Sequence, residues 1–197
     1  MNGDLLALIV ATSFAAGLNV AATTATLGLL AQAGWVVLPP HLQVLASWWA
    51  IGASLAVFAI EFVADKIPAF DLVWNVLQTI VRVPAGALLG YAATLNLSPG
   101  MQVVASVSGA LIALLAHGGK TAARVAVTSS PEPFSNIALS LVEDVAAIGL
   151  TWLATQHPYW AAAIAIALLA VIVVFVRLVI ATLRRLFSSG RAVPAPS

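Results

Sequence analysis

Nearly the whole chain consists of apolar runs of about 20 to 30 residues joined by short, proline-marked connections, and this pattern leaves few folds open. In lipid every backbone N–H and C=O has to find its partner within the protein, which a helix does on its own. Runs of this length match a hydrocarbon core of about 30 Å. Hydrophobic residues make up 62% of the 197 positions and charged residues 8%, where soluble domains carry about 25% charged. The chain therefore reads as an all-α polytopic membrane protein with one helical domain over residues 1–187. It has no cysteine, which excludes disulfides, iron–sulfur clusters and thiolate zinc sites. No basic residue precedes the first apolar run, which argues against a cleaved signal peptide. A net charge of +1 gives no sign of a nucleic-acid partner.

About six membrane helices are expected: Leu5–Ala33, Val44–Ala64, Phe70–Leu95, Met101–Val127, Phe134–Gln156 and Tyr159–Phe187. Pro84 is expected to break the third, whose first half could instead be re-entrant or interfacial, and Gly118-Gly119 to weaken the fourth. Residues Ser188–Ser197, with Gly190, Pro194 and Pro196, read as a disordered cytoplasmic tail. Arg184, Arg185 and Arg191 place the C-terminus in the cytoplasm, and six spans return the N-terminus to the same side. Lys66, Lys120 and Arg124 then fall on the inner side, while the outer connections Gly34–Gln43, Asn96–Gly100 and His157–Pro158 contain no Lys or Arg. Trp35, Trp48, Trp49, Tyr159 and Trp160 form an outer aromatic belt. The segment Ala15–Ala22 resembles Ala116–Ala123, and Glu61 has a counterpart in Glu143. Two inverted three-helix repeats, 4–95 and 101–187, are one reading; chance similarity of alanine-rich helices is the other.

Glu143 and Asp144 stand side by side within one of these runs. Counted along the helix from the Pro131–Pro133 turn they lie roughly 15 Å deep, near the bilayer midplane. Each charge there costs roughly 2.5–3.5 kcal/mol on insertion scales, so the pair is the first functional candidate. Ser140 and Asn136 share its helix face. Arg82, two residues before Pro84, needs an anion or water at that depth, and Glu143 or Asp144 is at comparable depth. Such a pair could be structural or a releasable switch. Thr12, Asn19, Thr23 and Thr26 form a polar line on the first helix; the threonines read as helix–helix hydrogen bonds, whereas Asn19 near mid-depth brings two donors and an acceptor.

Glu61 and Asp65 are four apart, as are Lys120 and Arg124, so each pair shares a face. With Lys66 they form either an inner gate or interfacial salt bridges with snorkelling basic side chains. Gly119-Lys120-Thr121 lacks the upstream glycine and strand of a phosphate-binding loop. His41, His117 and His157 do not have zinc spacing.

Taken together, Ala16-Gly17-Leu18-Asn19, Glu61-x-x-x-Asp65-Lys66-Ile67-Pro68 with Asp71, Thr79-x-x-Arg82-x-Pro84-x-Gly86, Lys120-x-x-x-Arg124 and Ser140-Leu141-x-Glu143-Asp144 resemble the bacterial membrane family called domain of unknown function 4126. The similarity covers about Ala15 to Leu150. Asn19 departs from it by standing where some members carry Arg. The resemblance implies a small polytopic protein of the bacterial inner membrane and supplies no activity.

The leading expectation is a small transporter or channel-like protein. Glu143 and Asp144, with Ser140 and Asn19, would bind an ion or small charged solute, and Arg82 would serve as counter-ion. Glu61, Asp65, Lys66, Asp71, Lys120 and Arg124 would form a gate or salt-bridge network. Carboxylates alone would suit a hard cation such as Mg²⁺, Ca²⁺ or Mn²⁺; the basic residues suit an anion equally. No other cofactor is expected. Two further classes remain: an intramembrane enzyme using paired carboxylates on a lipid or isoprenoid, which lacks a nucleophile, and an assembly partner whose charges only lock helices. A chain this small is also a candidate homo-oligomer.

Overall fold

The computed structural model describes residues 3–64, 68–128 and 133–189, and the regular elements among them are all helical. These are α1 (Gly3–Leu18), α2 (Val20–Gln32), α3 (Trp48–Ala64), α4 (Pro68–Ala93), α5 (Pro99–Thr128), α6 (Pro133–Gln156) and α7 (Pro158–Ser189), with a 3-10 helix, Pro40–Ala46, ahead of α3. Proline opens α4, α5, α6 and α7, a position where its missing N–H has no helical partner to lose.

The single helix expected over Leu5–Ala33 does not form. Asn19 is extended (φ −155°, ψ 105°) and divides it. Its side-chain Oδ1 accepts from the Ala22 N–H at 2.8 Å, so the carboxamide supplies the acceptor that the backbone no longer offers, as an N-cap does. The resulting helices are about 24 and 20 Å long, each short of a roughly 30 Å hydrocarbon core. The chain turns back at the break. The start of α1 lies against the start of α7: a Cβ on Gly3 would stand 2.5 Å from the Tyr159 hydroxyl. Leu8 and Thr12 of α1 line the same small cavity as Leu27 of α2, and Gln32 donates to the Ala46 carbonyl. Both ends of the pair thus lie beside the α6–α7 connection, and Asn19 is the tip of a re-entrant hairpin.

From that end, α3 starts at the exposed Trp48 and α4 returns, bringing Ala92 and Leu95 beside Leu42 and Leu45. The continuous α7 starts there and ends at the far side of the bundle. The chain's first described residues and the end of α7 therefore lie at opposite ends, not on one side as parity had implied, because the first apolar run makes no crossing. Three described helical stretches, Pro99–Arg124, Ile137–Gln156 and Pro158–Leu178, are long and apolar enough to cross a membrane; Pro40–Ala46 with Trp48–Ala64, bent by 66°, makes a fourth. Trp35, Trp48, Trp49, Tyr159 and Trp160 are all exposed.

Neither expected weak point interrupts its helix. α4 continues through Pro84, and α5 through Gly118-Gly119. Proline deletes one hydrogen bond; Pro84 itself is exposed, and it is the next turns of α4 that are held by packing. A Cβ on Gly86 would meet the Gly109 carbonyl at 2.5 Å, and Gly90 lies against the Ala105 carbonyl. The Gly86-x-x-x-Gly90 spacing thus brings α4 and α5 into close approach. On Gly119 a Cβ would stand 2.6 Å from Ile172 of α7. The tail was expected to begin at Ser188, but α7 runs through Ser189; Gly190, Arg191, Pro194 and Pro196 lie outside the described residues.

Small residues also build the centre. Phe14, Ala15 and Leu18 of α1 meet Ala116 of α5, Ala147 of α6 and Ala165 of α7. The outward faces carry exposed Ile80, Val142, Val145 and Val171, surfaces that lipid accepts and water does not.

Candidate functional site

A helix that stops inside a bundle leaves its last carbonyls without N–H partners. At the hairpin tip two of them are met by cations. Arg82 Nη1 of α4 donates to the Gly17 carbonyl at 3.3 Å, and Lys120 Nζ of α5 to the Leu18 carbonyl at 3.4 Å. Both sit at the negative end of the α1 dipole, where positive charge is favoured. On the other side of the break, Asn19 Nδ2 donates to Asp144 Oδ1 of α6 at 3.0 Å, which places a carboxylate beside the first turn of α2, the positive end. The broken helix and the buried charges therefore stabilise each other.

The charges form one network. Arg82 pairs with Glu61 of α3. Lys120 lies between two acids, 3.9 Å from Glu61 Oε1 and 3.1 Å from Glu143 Oε2, and Arg124 Nη2 donates to the same Glu143 oxygen at 2.8 Å. Three cations thus meet the carboxylates of Glu61 and Glu143, with Asp144 held by Asn19 beside them, and none of these six charged residues is more than 6% exposed. Removal of so many charges from water is tolerated only where pairing and hydrogen bonds offset the desolvation. His117 belongs to the same cluster. A guanidinium N–H can only donate, so the 3.0 Å contact from Arg82 Nη1 requires the lone pair on Nδ1. The ring proton is then on Nε2, which donates to Thr79 Oγ1 at 2.8 Å. Likewise Arg82 Nε meets Gln78 through its Oε1 at 3.3 Å.

The structure brings Glu143, Asp144, Arg82, Asn19, Glu61, Lys120 and Arg124 together, with Ser140 buried on the same face of α6. The pairing differs from expectation. Arg82 bonds Glu61 rather than Glu143 or Asp144, because Glu61 reaches the same depth from α3; Glu143 is held by Lys120 and Arg124 instead. Glu61, Lys120 and Arg124 are buried, which removes the reading of snorkelling interfacial side chains. Asp65 and Lys66 lie outside the described residues. Asp71 and Asn136 lie on α4 and α6, and their side chains are outside what is described. Thr12, Thr23 and Thr26 return their hydroxyls to the carbonyls of Leu8, Asn19 and Ala22, so they bond their own helices.

Two participants were missed by sequence reasoning. His117 precedes Lys120 by three and Arg124 by seven, a spacing that places all three on one helix face. Gln78 stands four before Arg82 on α4. The freed carbonyls of Gly17 and Leu18 carry no side-chain signature at all. The polar face of α6 holds two atoms with unmet bonding capacity: among the described residues Ser140 Oγ and Glu143 Oε1 are buried and have no hydrogen-bond partner. No group of three His, Asp or Glu that could hold a metal occurs among the described residues.

A family model described as domain of unknown function (DUF4126) matches residues 6–178. No curated protein and no solved structure matches the chain.

Proposed function

The chain belongs to the DUF4126 family, whose description names no activity, and from the site alone we propose that it is a small membrane permeation protein. It carries an ion or small charged solute past the tip of the α1–α2 hairpin. The observation that carries this reading is the pair of empty buried acceptors on α6, Glu143 Oε1 and Ser140 Oγ. A buried polar atom without a partner costs roughly 1–3 kcal/mol, and a passing solute or water that hydrogen-bonds them removes that penalty.

Broken helices whose ends present partial charges at depth are a recurring device for binding solutes in transporters. Glu143 and Ser140 serve as the binding groups, with Asp144 and Asn19 shaping the tip. Arg82, Lys120 and Arg124 set the local charge. Glu143 Oε2 is already bonded to Lys120 and Arg124, so a divalent ion would approach two positive groups. The favoured solute is a proton, a monovalent cation or a small hydrogen-bond donor.

The protein sits in the bacterial inner membrane. The end bearing Arg177 and Arg184 faces the cytoplasm and the lysine- and arginine-free end faces out, which puts α1 at the outer side.

Proteoliposomes loaded with a pH- or ion-sensitive dye test the reading. Flux of protons, Na⁺, K⁺ or ammonium above that of protein-free vesicles is expected, lost in Glu143→Gln and reduced in Ser140→Ala. Folded protein that passes none of these, or a Glu143→Gln variant that passes them unchanged, overturns it.

A further inference from the structure

Away from the empty acceptors on α6, the opposite side of the charge network opens on a groove. A cavity of about 340 Å³ lies among α2, α3 and α4, bounded by Thr24, Val57 and Leu77, with Glu61 and Gln78 at its wall. A second, of about 470 Å³, is bounded by Leu42 and Leu45 of the 3-10 helix, by Leu88 of α4 and by Leu95 in the turn that follows it. Both share Val20 and Thr24 of α2, so they abut there. From Gln78 to Ala92 the groove follows roughly 21 Å of α4. Its rims carry exposed Val57, Leu77 and Leu88, the kind of surface that faces acyl chains, so access is sideways from the bilayer.

The polar groups at the deep end are arranged to receive a head group. Gln78 is buried, and its Oε1 is fixed by the Arg82 N–H. A donor can meet only the oxygen, so the NH₂ is the end left to the cavity, and no described residue accepts from it. Beside it stands the Glu61 carboxylate, whose oxygens together offer about four acceptor positions. Gln78 and Glu61 therefore set a donor beside an acceptor, while Thr24 and Ser54 on the same wall are hydrogen-bonded to each other at 3.0 Å and Trp74 completes the lining. The six described charges of the network already balance, three against three. A charged head would add an unpaired charge in a low-dielectric setting, which is costly. An uncharged head that accepts from Gln78 and donates to Glu61 is not penalised in that way.

We propose that this groove is a binding site for a single-chain lipid alcohol. The hydroxyl accepts from the Gln78 NH₂ and donates to Glu61, and the alkyl or prenyl chain lies along α4 past Thr24 toward Leu95. The site is separate from the Glu143–Ser140 face and does not rest on the permeation reading.

The full chain, purified into nanodiscs, is photolabelled with a long-chain primary alcohol bearing a chain diazirine, and the labelled residues are mapped by mass spectrometry. Labelling is expected on the cavity walls of α2, α3 and α4, and unlabelled alcohol competes it away. The same chain ending in methyl labels about fivefold less, the factor set by a hydrogen bond of roughly 1 kcal/mol. A trimethylammonium head labels less still. Thr24→Trp, at the junction of the two cavities, abolishes labelling, and Gln78→Leu reduces the alcohol to the level of the methyl-ended chain. Val171→Trp on the exposed face of α7 leaves it unchanged. Equal labelling by alcohol, methyl and ammonium probes overturns the proposal. So does labelling no stronger on the groove than on α7, or undiminished by Thr24→Trp. Should Gln78→Leu not fold, Thr24→Trp decides.

Discussion

Ala15–Ala22 and Ala116–Ala123 are similar in sequence, face the same charge network and adopt different conformations. The first breaks at Asn19; the second is an uninterrupted part of α5 although it holds two adjacent glycines. Glycine content is therefore not what divides a helix here. Gly118 and Gly119 each weaken α5 by roughly 1 kcal/mol relative to alanine, but neither offers an atom that can replace a backbone partner. Asn19 does: its Oδ1 takes the Ala22 N–H and its Nδ2 reaches Asp144. Lys120, which aligns with Asn19, has only donors and serves the network from an intact helix, bonding the Leu18 carbonyl that the other segment sets free. The two segments are complementary halves of one contact. Whether they descend from a repeat is not needed for that conclusion.

The sharpest way to break this arrangement is to remove what holds the free end of α1. Arg82→Leu takes away the partner of Glu61, the donor to Gly17 and the donor to His117 together. Loss of one member of a buried ion pair costs about 3–5 kcal/mol, and that destabilisation is expected in chemical unfolding of the detergent-solubilised protein. Glu61→Leu in the same chain should restore part of it, since the stranded carboxylate is then gone. A double variant as unstable as the sum of the two single ones would mean that Arg82 and Glu61 do not act as a pair.

This first prediction could not have been written from sequence. Depth counting found the charged residues, because a charge in an apolar run is conspicuous and helix rise is constant. Spacing placed Lys120 with Arg124 and Ser140 with Glu143. Partner choice was not legible: Glu61, Glu143 and Asp144 all lie at depths that Arg82 can reach, and only the lateral order of helices selects among them. That order depends on α1 turning back at Asn19. A lone Asn in an alanine-rich run reads equally well as a helix–helix hydrogen bond, so the hairpin stayed hidden and the count of crossings with it. Pro84 gave the opposite error. Proline is the stronger breaker by propensity, yet packing of Gly86 and Gly90 against α5 overrides it.

Asn19→Leu tests the tip directly. It removes the cap, worth about 1 kcal/mol, and leaves the Asp144 oxygen without its donor, a further penalty of roughly 1–3 kcal/mol. Thermal unfolding should show a loss smaller than that of Arg82→Leu. Asn19→Asp retains the cap acceptor but sets a carboxylate against Asp144, and should be no better than leucine. If aspartate instead matches the wild type, the Asp144 contact contributes nothing and the cap alone shapes the tip.

Gly17 and Gly118 occupy equivalent positions in the two segments, which makes one substitution a controlled comparison. At Gly17 a Cβ would stand 2.5 Å from the Ala113 carbonyl oxygen and 2.7 Å from the Ala116 Cβ. Backbone cannot step aside as a flexible side chain can, so Gly17→Ala should destabilise by about 1–3 kcal/mol, the range for overpacking. At Gly118 a Cβ meets nothing within 4 Å, and the residue is exposed on a continuous helix. Gly118→Ala should therefore stabilise by roughly 0.4–1 kcal/mol, through the lower entropy of the unfolded chain and the better helix former. The sign is the informative quantity. A gain confirms that the glycine pair in α5 serves no packing need at Gly118 and that only Gly119, against Ile172, is constrained. A loss would mean that another surface lies over Gly118 in the membrane; a second copy of the chain is then the first suspect, tested by whether the same substitution dissociates an oligomer.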